Sequence, residues 1–434
     1  MIHVAPPMSP RRLSRTLAAA MPWVASVLVG LMPLSFALDL PGKLLPTALL
    51  VVLGIALIAR DAQVRASYRG ERGVVAVMLL AVLYAVLNVL GHRLGWRPLD
   101  LPSHLLVYLI TAAAFAQPLR MRLVLAMFSL TAILLGGTCV VQHYVMGVDR
   151  AYGLNGGDWG AIEFAMVMLA LALLALVQVL DFRTPRRDWP LHLVGMVLGI
   201  YGAVLTQSRG PLLAFVPVFV LLLLLHSRRS GLWRWALLLA VLVLGGMVAG
   251  MLSLRGQMVD RFEAIGHEVA TYNARHDANG AVRERLEMWR TALRGFEQHP
   301  LAGVGLDQFG TYVREQVAAG RSNPAIVNYD HPHNEYLDAA ATGGVPGLLV
   351  LLAIFLVPLV RFVRHVLDPA DALAVPASAG LALILLYMLC AFTDNVFYRA
   401  MPHSLYFFLV IGMSLRIGWR RQLATAESAR CASN

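Results

Sequence analysis

The sequence predicts an all-α, polytopic membrane protein with about 12 transmembrane helices and one large helical loop outside the membrane. Three observations predict it. First, 58% of the 434 residues are hydrophobic and only 14% are charged, whereas a soluble domain carries about a quarter charged residues. Second, separate runs of roughly 17 to 23 apolar residues recur along the chain, each long enough to cross about 30 Å of hydrocarbon. A membrane β-barrel instead shows short alternating segments. Third, the arginines alternate between the two sides of these runs, as the positive-inside rule requires.

The runs fall at residues 16–38, 44–59, 73–90, 101–117, 123–145, 159–180, 191–207, 211–225, 235–254, 344–360, 374–392 and 401–415. With the N-terminus inside, the inner loops hold Arg60, Arg65, Arg69 and Arg72, then Arg120 and Arg122, then Arg183, Arg186 and Arg187. Arg228, Arg229 and Arg234 follow, then Arg361 and Arg364, and the tail adds Arg416, Arg420, Arg421 and Arg430. The short outer loops hold only Arg93, Arg97, Arg150, Arg209 and Arg399. This bias supports both termini in the cytoplasm. It divides the chain into residues 1–254 with helices 1–9, an outer loop at 255–340 with amphipathic helices, and residues 341–434 with helices 10–12 and a cytoplasmic tail.

The net charge is +11, and Lys43 is the only lysine. The topological bias accounts for most of this excess. The clustered basic face that nucleic acid requires is missing, so a nucleic-acid partner is excluded. Cys139 and Cys390 lie in apolar runs and Cys431 in the tail, which argues against a structural disulfide. Arg11, Arg12 and Arg15 precede an apolar run longer than a signal-peptide core, so the first helix is read as retained.

Polar chemistry collects in the outer loop. Residues 255–340 hold nine arginines against twelve acids, so general basicity does not explain the arginines there. At helical spacing Val282, Leu286, Trp289, Leu293 and Phe296 form an apolar stripe. Arg283, Glu287, Arg290, Arg294 and Glu297 form the opposite face, which is expected to be solvated. Arg285 falls within the apolar sector, one turn before Trp289. A buried guanidinium is costly without an anion. It either pairs with a loop acid, lays its stem along Trp289, or meets an anionic ligand.

Arg209 lies between two apolar runs with almost no loop, in Gln207-Ser208-Arg209-Gly210. It is either an interfacial anchor, which tolerates lysine, or a bidentate ligand for phosphate at headgroup depth, which does not. In His331-Pro332-His333-Asn334-Glu335, His333 can exchange a proton near neutral pH. Histidines two apart also suggest a metal, but the sequence offers no convincing third ligand and the Asp368-Pro369-Ala370-Asp371 pair is on the wrong side, so no metal is expected. Asp158, Glu163, Asp394 and Arg399 read as helix-end or ion-pairing residues able to line a cavity. No nucleotide-binding signature is present, so a reaction draws on an already activated substrate and no cofactor is expected.

Four segments, Gln207-Ser208-Arg209-Gly210, Arg285-Leu286-Glu287-Met288-Trp289, residues 300–309 and His333-Asn334-Glu335-Tyr336-Leu337, resemble in order and spacing the O-antigen ligase and polymerase superfamily. The first half of the chain matches that superfamily only in hydropathy. The resemblance implies a bacterial inner-membrane glycosyltransferase with its large loop and active site in the periplasm. It implies an undecaprenyl diphosphate-linked glycan as donor and, in the ligase branch, the lipid A–core saccharide of lipopolysaccharide as acceptor. Arg209, Arg285 and His333 match the functional arginines and histidine, with Asn334, Glu335 and Trp289 also expected at the substrate. The expected reaction is inverting and metal-independent. An O-antigen polymerase or a protein O-oligosaccharyltransferase fits the same motifs. A transporter or flippase fits the helix count but lacks the inverted repeat.

Overall fold

A computed structural model describes residues 10–38, 42–154, 157, 160–181, 183–231, 233–253, 268, 272, 278, 280–367 and 373–433. Asp158 and the pair Asp368 and Asp371 lie outside the described residues. The described elements are helices, with no strand among them. They are α1 (Pro10–Ala37), α2 (Leu45–Arg60), α3 (Ala62–Gly70), α4 (Arg72–Gly91), α5 (Asp100–Thr111), α6 (Met121–Tyr144), α7 (Ala161–Leu180) and α8 (Trp189–Leu205). There follow α9 (Arg209–Ser230), α10 (Trp233–Ser253), α11 (Ala281–Gln298), α12 (Phe309–Ala318), α13 (Glu335–Val366), α14 (Ala374–Cys390) and α15 (Ala400–Ser433).

Each of the twelve expected runs falls on one of these helices. Nine spans among the described residues are long and apolar enough to cross a membrane, and a tenth follows if α2 and α3, bent by 95°, count as one. Met21–Ala37 and Ala374–Cys390 are shorter apolar helices. The chain is therefore a polytopic helical membrane protein. α7 is buried along almost its whole length and α15 over residues 401–419, whereas α10 is almost wholly exposed, with Leu237, Val241 and Leu242 facing outward. Small residues let the central helices close up. A Cβ on Gly136 of α6 would meet the Leu198 carbonyl of α8 at 2.1 Å, the close approach typical of membrane helix pairs.

Three features differ from the expected ones. The second run turns sharply at Asp61, whose carboxylate caps α3 by accepting from Gln63 N at 2.8 Å; α3 is polar and so left no hydropathy signal. α13 begins at Glu335 rather than at 344, and it kinks at Gly344 (φ 63°). α15 continues through the tail to Ser433.

Helices α4 and α13 run antiparallel and are tied at both ends. At one end Arg361 makes a two-pronged pair with the buried Glu71, through Nε at 2.9 Å and through Nη2. At the other, the Tyr84 hydroxyl donates to the Gly343 carbonyl at 3.2 Å, and Asn88 Nδ2 donates to the Ala302 carbonyl at 3.3 Å. Asn88 Oδ1 accepts from Leu306 N at 2.9 Å. The first half of the chain thus braces the outer loop.

Candidate active site

The kink in α13 organises this end of the bundle. At Gly344 the helix stops bonding to itself. The freed carbonyls of Ala341 and Thr342 accept from Val304 N at 2.9 Å and Gly305 N at 3.0 Å, and Val345 N donates to the Pro300 carbonyl at 2.7 Å. Gly303 (φ 66°) crosses here, and a Cβ on it would come 2.2 Å from the Thr342 carbonyl carbon. The 300–309 segment is therefore keyed into the first turns of α13, where His333-Asn334-Glu335 begins.

His333 sits just before that helix in a left-handed conformation (φ 51°). Such backbone costs about 1–3 kcal/mol for a non-glycine residue and persists only where neighbours hold it. They do so on both sides. Trp289 of α11 donates its indole N–H to the Pro332 carbonyl at 3.0 Å, and Asn334 N donates to Asn395 Oδ1 at 3.0 Å. Asn334 is buried and caps α13: its Oδ1 accepts from Leu337 N at 3.0 Å and its Nδ2 donates to the Phe392 carbonyl at 3.1 Å. Glu335 Oε2 accepts from Phe397 N at 3.0 Å. Asp338 Oδ2 accepts from Asn395 Nδ2 at 2.9 Å. Asn334, Glu335 and Trp289, expected at the substrate, thus hold the chain around His333, although Glu335 also lines a cavity.

His333, Asn334, Glu335 and Asp338 all bond to the turn between α14 and α15, where the sequence suggests only Asp394 and Arg399 as helix-end or ion-pairing residues able to line a cavity. Asp394 Oδ1 lies 2.9 Å from His333 Nδ1. Burial pulls the Asp394 carboxyl up, but the His333 hydrogen bond and charge, the Asn395 amide and the Arg285 charge hold it below the usual carboxylate range. An ionised carboxylate on Nδ1 fixes the proton there and leaves Nε2 as the basic nitrogen. The signal for this turn was Asp394-Asn395, two adjacent polar residues between apolar runs. The expected ion-pairing role of Asp394 fits this contact, but its partner is His333.

Arg285 lies on the flank of α11, one turn before Trp289 and partly buried, close enough to act on both Asp394 and Tyr329. The Tyr329 hydroxyl donates to Glu284 Oε2 at 2.5 Å, and burial and that carboxylate push it up to about 12. The expected phasing of α11 was wrong. Its buried face is Glu287, Met288, Thr291 and Ala292, and Leu293 is 47% exposed. Met288 and Ala292 pack with Phe309, Val313, Ile326 and Ala341, where small side chains allow close contact with α13. Glu287, assigned to the solvated face, accepts instead from the Tyr272 hydroxyl at 2.6 Å and Asn323 N at 3.0 Å.

Arg209 opens α9 after a buried three-residue turn, Thr206 to Ser208, with Gln207 at φ 54°. Ser208 Oγ donates to the Ala161 carbonyl at 3.1 Å, which ties the turn to the start of α7. The next residue, Gly210, packs against Thr393: a Cβ there would lie 2.4 Å from its Oγ1. Arg209 thus starts its helix beside the residue that precedes Asp394. Glu163, in the first turn of α7, pairs with Arg399 at 3.6 Å.

Next to His333 opens a cavity of about 510 Å³. Arg97, Asp307, Asp330, His331, Glu335, Asp338 and Arg399 contribute its polar lining, and Leu105, Leu351, Ile354 and Phe407 its apolar lining. The His331 ring lies tilted against Tyr398 at 4.1 Å and edge-on to His333 at 4.5 Å, between ring centroids. Burial and the His333 charge push His331 down to about 4, so it is neutral at pH 7. The fold also supplies the third ligand that the sequence lacked: donor atoms of His331, His333 and Asp394 lie within 4.8 Å of one another. Two imidazoles and a carboxylate suit a first-row divalent metal.

Fold and site define a polytopic helical membrane protein with a histidine–carboxylate pair and two arginines gathered at one end of the bundle. The model of the O-antigen ligase family matches residues 194–352, a span that takes in Arg209, Arg285 and His333. An uncharacterized protein of Haemophilus influenzae is 22% identical over 283 residues, 64% of this chain and 70% of its own length. The O-antigen ligase of Pseudomonas aeruginosa is 25% identical over 259 residues, 60% of this chain and 55% of its own length. The resemblance to the O-antigen ligase superfamily read from the four motifs is thereby borne out, and that family implies a glycosyltransferase type of activity.

Proposed function

We propose that this protein is an O-antigen ligase acting at the periplasmic face of the inner membrane. It moves a glycan from undecaprenyl diphosphate to a hydroxyl of lipid A–core. The observation that carries the reading is the His333–Asp394 pair at 2.9 Å, within electrostatic reach of Arg285 and beside a cavity lined by both polar and apolar side chains. Nε2 of His333 takes the proton of the acceptor hydroxyl. The hydroxyl oxygen bonds to the anomeric carbon as the bond from that carbon to the diphosphate oxygen breaks, and the carrier leaves as undecaprenyl diphosphate. One displacement inverts the anomeric centre. Arg209 and Arg285 meet the charge that grows on the leaving diphosphate, help worth about 3–4 kcal/mol per preorganised donor. Asp394 acts through His333, and Asn334, Glu335 and Trp289 position it. The 510 Å³ cavity suits the acceptor saccharide, since its carboxylates can bind hydroxyls and its apolar lining can meet the C–H faces of sugar rings. Both substrates are lipid-anchored and reach such a site sideways from the membrane.

The test is transfer from purified lipid-linked glycan to purified lipid A–core. Product with wild type and none with His333→Ala is the expected result. Glycosylation of a second carrier-linked glycan or of a protein, with lipid A–core left unmodified, would replace the ligase reading by the polymerase or protein-glycosylating one. The His331, His333 and Asp394 cluster favours one rival, a metal-assisted transfer. Activity that survives a strong chelator supports the metal-independent mechanism, and loss restored by zinc overturns it.

A further inference from the structure

At the far end of α7 a second cavity, of about 450 Å³, is lined by Arg122, Arg183, Arg416 and Arg420, against Asp181 and Asp188. α7 starts with Glu163 beside the His333 site and ends here at Leu180. At about 1.5 Å per residue, a helix of 20 residues sets the two cavities roughly 30 Å apart. This is a separate site, at the end that the arginine bias assigns to the cytoplasm.

The lining arginines differ in their partners. Arg122 is neutralised by a two-pronged pair with Asp188. Arg416 is only 9% exposed, although it carries a guanidinium. Its Nη1 donates to the Gln117 carbonyl at 2.5 Å and the Phe115 carbonyl at 3.4 Å, and the group lies 4.6 Å from the Trp419 ring. None of these is an anion, and among the described residues no carboxylate pairs with it. Arg420 follows one turn later, also without a carboxylate partner among the described residues. Gln117, whose carbonyl holds Arg416, has a buried Nε2 with no acceptor among the described residues. Phe115, Leu119, Leu125 and Val375 complete an apolar wall.

Two like charges one turn apart repel, and a buried guanidinium without a counter-ion is costly at membrane depth. An anion between Arg416 and Arg420 relieves both. We infer that this cavity binds the phosphate of an anionic phospholipid from the surrounding bilayer, with Arg416 and Arg420 as ligands and the apolar wall against its acyl chain. The inference is independent of the transfer reaction proposed for the other end.

The experiment uses the full-length protein in neutral detergent and follows thermal unfolding during titration with phosphatidylglycerol, phosphatidylcholine or inorganic phosphate. Phosphatidylglycerol raises the melting temperature saturably and phosphatidylcholine does not. Arg420→Gln, at an exposed position, keeps the lipid-free melting temperature and weakens the phosphatidylglycerol midpoint about tenfold, the loss of one charge-assisted bond. Arg416→Gln abolishes the response; should that variant fold poorly, Arg420→Gln decides alone. Equal responses to the two lipids, or an unchanged midpoint in Arg420→Gln, overturn the inference. Inorganic phosphate that stabilises as well as the lipid does would overturn it too, in favour of a soluble phosphate.

Discussion

His333 combines a left-handed backbone with a buried carboxylate on one ring nitrogen, and each feature sets a separate expectation. Asp394→Asn keeps the size of the side chain but removes the charge that fixes the Nδ1 proton. Transfer should fall about 10²–10⁴-fold with protein abundance unchanged, measured as product formed per purified enzyme. A loss below about threefold would return Asp394 to a structural role. Arg285→Lys keeps the charge and loses the planar fork, so transfer should drop by about 10²-fold or more, read as kcat at saturating donor. His331 gives a prediction about stability instead. Burial and the neighbouring His333 lower it from 6.5 to about 4, so the unfolded chain takes up its proton first as the solution is acidified. Its contribution is fully present above pH 6.5 and is lost as pH falls toward about 4. The melting temperature should therefore decline over that window, and His331→Phe should flatten the decline.

Among the elements, the crossing of residues 300–305 over the kink of α13 is the most exacting. Both Gly303 and Gly344 have positive φ, and each lies against the other strand's backbone, so neither position accepts a Cβ. Gly303→Val should lower stability by at least about 1–3 kcal/mol and displace the start of α13, losing transfer without touching the substrate. A variant with the wild-type melting temperature and full activity would refute that linkage. The sequence marked this segment only by resemblance, because glycine pairs carry no periodic signal. The error over α11 has a related cause. Periodicity sorts residues by polarity, and here the tight contact with α13 selects by size, so Thr291 and Ala292 go inside while Leu293 stays out. Arg285 was singled out from that same phasing, and it lies partly buried on the flank of α11, one turn before Trp289, rather than in its buried face. The sequence suggests Asp394 as an ion-pairing residue but not its partner, because His333 lies 61 residues away in the chain, and no local pattern connects a turn to a motif at that separation.

Across the whole molecule the polar clusters gather at the two opposite ends of the helix bundle. Hydropathy made the helices legible because lipid imposes a length on each span, and the arginine bias made their alternation legible. It did not reveal which helices form the centre, since α7 and α10 are equally apolar in sequence although one is buried and the other exposed. The contacts across the bundle do carry a directional consequence. Glu71 meets Arg361 at one end, and Asn88 meets the 302–306 segment at the other, so α4 and α13 keep the same alternation that the charges predict. Arg209, Glu163, Asp394, Arg399 and the start of α13 then share one side, and Arg122, Arg416 and the tail share the other. Cys431 is exposed, whereas Cys139 and Cys390 are buried, which makes the native chain its own topology probe. A membrane-impermeant thiol reagent should leave Cys431 unlabelled in intact spheroplasts and label it in inverted vesicles. A cysteine placed at the exposed Ala319 in the outer loop should show the reverse pattern. Labelling of both from the same side would break the alternation on which the periplasmic placement of His333 depends.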